Sequence, residues 1–281
     1  AAFRIMPSSN KIIGNIQNLR YSLPVINKIY DEMLLPVREN TQNEESQQKL
    51  TNNIHIKDVD FLYLTSSNPA IHKVNIHINS GSIVGFIGPS GAGKSTLIDV
   101  ILGLLKPTKG QVLVNELDIH NNLRSWQNRI GYVPQSIYLT DDTLKNNIAF
   151  GIPEGEIDIQ SINDAIYQSQ LKEFVEDLPQ GVETMVGENG VRLSGGQRQR
   201  IGIARALYHH PSVLVLDEAT SALDSVTESE VMNTIESLHG NKTIIIIAHR
   251  MSTLKNCDHI YKLRNGTIID QGNFDQMFNT N

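Results

Sequence analysis

The sequence predicts an α/β fold, on three observations. Strand-like apolar runs alternate along the chain with segments of helical periodicity. One run, Ile83 to Ile87, passes through a glycine-rich turn into a helix from about Lys94 to Leu105. Another, Val213 to Leu216, is apolar without alternation, as strands covered on both faces of a parallel sheet are, and it ends in two carboxylates.

The elements follow in order. Over residues 10–35, Ile12, Ile16, Leu19, Leu23, Ile26, Ile29 and Met33 recur at helical spacing, and Pro24 is expected to kink or split that helix. Residues 36–50 are polar and charged and read as a linker between the helical segment 1–35 and a domain spanning 51–281. Ile54, Ile56, Val59 and Phe61 mark a first strand, and Val74, Ile76 and Ile78 alternate with polar residues in a second. Gln111 to Val114 and Ile130 to Pro134 are further short strands. Residues 143–178 read as a mostly helical insert, part of a helical subdomain over about 136–210. A helix near 225–239 precedes the strand Thr243 to Ile247, and two short strands flank the hairpin signal Asn265-Gly266.

Composition narrows the function classes. The 281 residues are 40% hydrophobic, enough for a substantial core. A net charge of -6 leaves no electrostatic footprint for nucleic acid. Cys257 stands alone, so no internal disulfide is possible, which suits a reducing compartment. No apolar run approaches the roughly 18 residues of a membrane helix. The chain opens on Ala1 rather than Met, with no signal-peptide pattern, so a piece of something longer is expected.

Gly88-Pro89-Ser90-Gly91-Ala92-Gly93-Lys94-Ser95 fits the P-loop pattern, with a strand before it and a helix after it. Its glycines let backbone N–H groups converge on phosphate oxygens, and the helix points its positive end at the same place. Lys94 adds a charge near the β and γ phosphates, and the Ser95 hydroxyl is suited to Mg²⁺. At the end of the second apolar strand, Asp217 is suited to holding Mg²⁺ and Glu218 to polarising an attacking water. The alternative for both carboxylates is capping of the next helix.

Between these elements lies Leu193-Ser194-Gly195-Gly196-Gln197. In this order the three motifs resemble the ATP-binding-cassette proteins, the middle run matching their signature. Ser194 and the glycine N–H groups open a helix and so form a second phosphate nest. In the family, the signature of one subunit closes over ATP held by the P-loop of the other. The resemblance covers residues 54–281. It implies a P-loop NTPase of the cassette type, with a mixed sheet core, an antiparallel β subdomain and a helical subdomain. It makes Gln135 the glutamine that touches Mg²⁺ and relays to the membrane domain. Ser221-Ala222-Leu223-Asp224 becomes the subunit-contact loop, and His249 the switch histidine that orients the γ-phosphate. Tyr63 becomes the aromatic that stacks on adenine, although Leu64 stands where many exporters have proline. Lys94, Gln135, Glu218 and His249 are thereby assigned to catalysis, and Ser95, Gln135 and Asp217 to the metal. Tyr63, Gly88 to Thr96, Ser194 to Gln197 and Asp224 are assigned to the nucleotide.

Several details are similar to exporters: Ala219 where importers more often carry proline, Thr184 to Gly190 before the signature, and Asn147 to Gly151. Residues 2–8 and the helix after them look like the cytoplasmic end of an exporter's last membrane helix, closest to flippases of lipid-linked oligosaccharides and to peptide exporters. The resemblance implies an ATPase at the cytoplasmic face of the inner membrane. Its partners would be a transmembrane domain of the same transporter and a second cassette, with no nucleic acid. The alternatives are an importer cassette or a non-transport ATPase of the same fold. The stretch between Gln135 and Ser194 is too short for the coiled coil of DNA-repair relatives, and a single P-loop argues against a paired translation factor.

Overall fold

The computed structural model describes residues 2–34, 53–64, 66–187, 190, 193–220, 223–248 and 250–278. The linker expected at 36–50, together with Glu188, Asn189, Ser221, Ala222 and His249, lies outside the described residues. The chain divides into two units, 1–44 and 45–281.

In the first unit, α1 (Ala2–Met33) is one helix with Pro7 and Pro24 inside it, so the split expected at Pro24 does not occur. Each proline lacks the N–H that would donate to the carbonyl four residues back, and the helical conformation continues on both sides of it. The apolar side chains of Ile12, Ile16 and Leu19 are exposed.

In the second unit the strands are β1 (Ile54–Phe61), β2 (Ile71–Ile78), β3 (Ile83–Ile87), β4 (Lys109–Val114) and β5 (Leu117–Asp118), then β6 (Ile130–Val133), β7 (Val213–Asp217), β8 (Thr243–Ile247), β9 (His259–Arg264) and β10 (Thr267–Gly272). The helices are α2 (Lys94–Ile101), α3 (Leu123–Gln127), α4 (Leu144–Ile148), α5 (Ile159–Gln168), α6 (Lys172–Glu176), α7 (Gly195–Leu207), α8 (Ser225–Glu236), α9 (Met251–Leu254) and α10 (Phe274–Phe278). A six-stranded sheet runs β10-β9-β3-β8-β7-β6, parallel from β9 to β6 with β10 antiparallel at its edge. A four-stranded antiparallel sheet runs β2-β1-β4-β5. The mixed core, the antiparallel subdomain and the helical subdomain are therefore all present.

The two faces of the large sheet bury different cores. Leu214, Leu216, Ile244 and Ile246 pack with α4, α5, α7 and α8, while Val213, Val215, Ile245 and Ile247 pack with α2 and the antiparallel sheet. Successive strand residues point to opposite faces, so a strand covered on both must be apolar throughout, as β7 and β8 are.

The Asn265-Gly266 turn has φ of 50° and 75°, the positive pair that a tight two-residue hairpin requires. The β4–β5 turn uses the same geometry at Asn115 (50°) and Glu116 (65°), with no glycine to signal it. There Glu116 is bound by Lys57 and His55, each at 3.0 Å.

Candidate functional site

The carboxyl ends of β3, β7 and β8 share one edge of the sheet, the edge where ligands of open α/β folds bind. The phosphate loop leaves β3 there. It is wedged between the approach to β2 and the β9–β10 turn: the Gly266 N–H donates to the Ala92 carbonyl at 3.0 Å. Gly93, which opens α2, has φ 100°, and a Cβ on it would come within 2.6 Å of the Ala70 carbonyl oxygen. Only glycine fits that position.

Lys94 is buried, and its ammonium donates to the Gly88 carbonyl at 2.9 Å and the Pro89 carbonyl at 3.2 Å. Burial lowers its pKa, opposed by the charges of Glu218 and Asp217. The lysine head thus sits across its own loop within the field of both carboxylates. Ser95 is exposed beside it.

Asp217 closes β7, and Glu218 follows with φ 48°. That left-handed backbone costs a non-glycine residue on the order of 1–2 kcal/mol. Such outliers concentrate at functional sites. Each carboxylate receives a donor from β6 or just beyond it: the Tyr132 hydroxyl donates to Asp217 Oδ2 at 3.1 Å, and Gln135 Nε2 donates to Glu218 Oε2 at 2.8 Å. On α2, burial and the neighbouring Asp217 push the Asp99 carboxyl up. Burial, with Asp217 adding to it, also raises the Tyr132 phenol, so it stays a proton donor. Tyr63, half exposed, shares a hydrogen bond of 3.2 Å with the Thr96 hydroxyl and meets Phe61 edge-on.

One edge therefore gathers Tyr63, Gly88 to Thr96, Gln135, Asp217 and Glu218. The other expected nucleotide contacts stand together elsewhere. Ser194 caps α7 in a reciprocal box: its hydroxyl accepts from the Gln197 N–H at 3.2 Å, and Gln197 Oε1 accepts from the Ser194 N–H at 2.9 Å. Gly195 and Gly196 lie against Leu223 and Thr227: a Cβ on Gly196 would collide with Thr227, and one on Gly195 would come within 3.1 Å of Leu223 Cδ2. Asp224 caps α8, accepting from the Val226 and Thr227 N–H groups, each at 3.1 Å. Among the described residues, no hydrogen bond joins Ser194–Gln197 to the phosphate loop. Tyr132 was not singled out from sequence, because the β6–β7 pairing that brings it to Asp217 leaves no local signal. A cavity of about 610 Å³ where β3 and β9 begin is lined by His55, His77, His259 and Tyr261, and contains none of these groups.

The oxygen donors Ser95, Gln135 and Asp217 fit a hard cation such as Mg²⁺. Among the described residues, no three His, Cys, Asp or Glu side chains form a metal cluster by themselves. A cation bound by one carboxylate and completed by phosphate oxygens needs none.

A profile of the ABC transporter family matches residues 71–221. Over 259 residues the chain is 38% identical to an ATP-dependent lipid A-core flippase of Cupriavidus pinatubonensis, covering 92% of this chain and 43% of that protein. It is 40% identical over 231 residues to the heterocyst differentiation ATP-binding protein HepA of Nostoc, covering 82% of this chain and 38% of that one. A solved structure of a bacterial Atm1-family ABC exporter with ATP bound superposes with a TM-score of 0.79 at 32% identity, over 92% of this chain and 45% of the other. The chain thus spans less than half the length of the relatives it matches.

Proposed function

The chain belongs to the ABC transporter family, and from that premise we propose that it is the ATP-hydrolysing motor of an exporter or flippase, working as a head-to-tail pair. The observation that carries this reading is the division of the nucleotide contacts. Lys94, Asp217, Glu218 and Gln135 meet at one sheet edge, while Ser194 to Gln197 stand with the start of α8. A second chain whose signature faces this loop completes the site.

In that pair the loop N–H groups and Lys94 bind the phosphates, and Tyr63 supports the adenine. Glu218 takes the proton of the attacking water, and Lys94 and the partner's signature N–H groups stabilise the charge spread over the transferred phosphoryl. Ser95, Gln135 and Asp217 would hold Mg²⁺, which neutralises charge on the phosphate oxygens. His249 is proposed to orient the γ-phosphate. The exposed apolar face of α1 supports a transmembrane partner, because such a stripe needs cover. Among the described residues no helix is long and apolar enough to cross a membrane itself. The linker at 36–50 then joins the membrane-proximal helix to the cassette at the cytoplasmic face.

Glu218→Gln tests the chemistry. The change keeps an oxygen that can accept from Gln135, so ATP affinity should hold while hydrolysis slows by ~10² or more. With turnover blocked, an ATP-dependent dimer should accumulate on a sizing column. Wild-type turnover in this variant would remove Glu218 from the mechanism.

A further inference from the structure

We infer that Tyr132 is a positioning residue: its phenol fixes the Asp217 carboxylate in the orientation that receives the divalent cation of the nucleotide. The inference rests on the reading of Asp217 as a metal ligand given above.

The juxtaposition follows from sheet register. β6 pairs with β7 in parallel, setting Tyr132 beside Val215 and Val133 beside Leu216. Paired residues in a parallel ladder share a face, and so do residues two apart on one strand. Tyr132, Val215 and Asp217 therefore lie on one face. Two strand residues span about 6.6 Å, a distance that a tyrosine leaning forward covers and shorter side chains do not. Its hydroxyl arrives at Asp217 Oδ2 at 3.1 Å.

The contact has a partner in kind. Gln135, three residues on, donates to Glu218 at 2.8 Å. The same chain segment thus donates to both carboxylates, one residue apart. An aspartate closing a strand can turn about its side-chain torsions, and a hydrogen bond to one oxygen selects a rotamer and commits the other oxygen's direction. Tyr132 is 41% exposed, so its ring is not a core element that folding depends on.

The test is Tyr132→Phe, which removes one oxygen and keeps the ring. Binding of a fluorescent ATP analogue is measured in EDTA and across a Mg²⁺ titration, and Mn²⁺ binding to the nucleotide-loaded protein is followed by electron paramagnetic resonance. The half-saturating Mg²⁺ and Mn²⁺ concentrations should rise roughly three- to tenfold, the scale of one hydrogen bond, while affinity in EDTA stays within about twofold. In an Asp217→Ala background the same substitution should change nothing, because the group it positions is gone. Cation midpoints within about twofold of wild type would overturn the role of Tyr132 alone. So would an equal loss of affinity in EDTA, which would mean that the phenol serves the nucleotide or the fold directly. A wild-type protein whose nucleotide affinity gains nothing from Mg²⁺ would overturn the metal assignment beneath it.

Discussion

Tyr63 approaches the phosphate helix from outside the sheet, its hydroxyl on Thr96 and its ring against the edge of Phe61. The ring is thereby held beside the loop and stays 40% exposed, as a stacking platform must. Tyr63→Ala should weaken ATP binding by ~1–3 kcal/mol, and Tyr63→Phe should cost little because the face of the ring is kept. A titration giving equal affinity for all three proteins would place adenine elsewhere. At this scale the sequence was informative where chemistry sits in a contiguous run. Gly88 to Ser95 carries its own geometry, because glycine spacing and the following helix are local properties. The Tyr132–Asp217 and Gln135–Glu218 hydrogen bonds join residues more than eighty positions apart. The left-handed backbone of Glu218 likewise has no composition signal, since glutamate does not favour it.

Glu228 ties two elements together. It lies one turn into α8, buried, and accepts from Arg250 Nη1 at 2.7 Å, Ser252 Oγ at 2.9 Å and Thr253 Oγ1 at 2.8 Å. Those three donors come directly after position 249, so the segment leaving β8 is fastened to the helix that Asp224 caps. Burial works to raise the Glu228 pKa, but the bonds from Arg250, Thr253 and Ser252 and the Arg250 charge outweigh it, and the carboxyl is held below its usual 4.5. A carboxylate whose folded pKa is depressed stabilises the fold in full above the unfolded value, and that contribution is lost as pH falls through the folded one. Glu228→Ala should destabilise by about 2–4 kcal/mol, less than a fully buried pair because Arg250 is 39% exposed. Denaturant melts of both proteins from pH 7 downward should show the gap narrowing below the ordinary glutamate pKa. A gap that is constant with pH would mean that packing, not charge, carries the effect. The elements themselves were largely readable: β7 and β8 by their unbroken apolar runs, the last hairpin by Asn265-Gly266. The β4–β5 hairpin escaped notice because its turn, Asn115-Glu116, takes the positive-φ pair without a glycine to signal it.

Across the whole molecule, the α/β class followed from alternation and burial pattern alone, since strands apolar on both faces demand cover on both. What alternation does not encode is which strands neighbour each other. The order β10-β9-β3-β8-β7-β6 depends on long crossovers. The same limit applies to the site: sequence order placed the signature between the phosphate loop and the acidic strand, but in space it stands with Leu223 and Thr227. The central claim is that each site is built from two chains. Lys94→Ala disables the phosphate loop, and Ser194→Arg fills the signature nest. Each variant alone pairs into dimers with two defective sites. A heterodimer of the two, purified through a different tag on each chain, has one site with both defects and one with neither. Its ATPase rate should rise clearly above that of either variant alone. A purified heterodimer with no recovered activity would contradict the shared site.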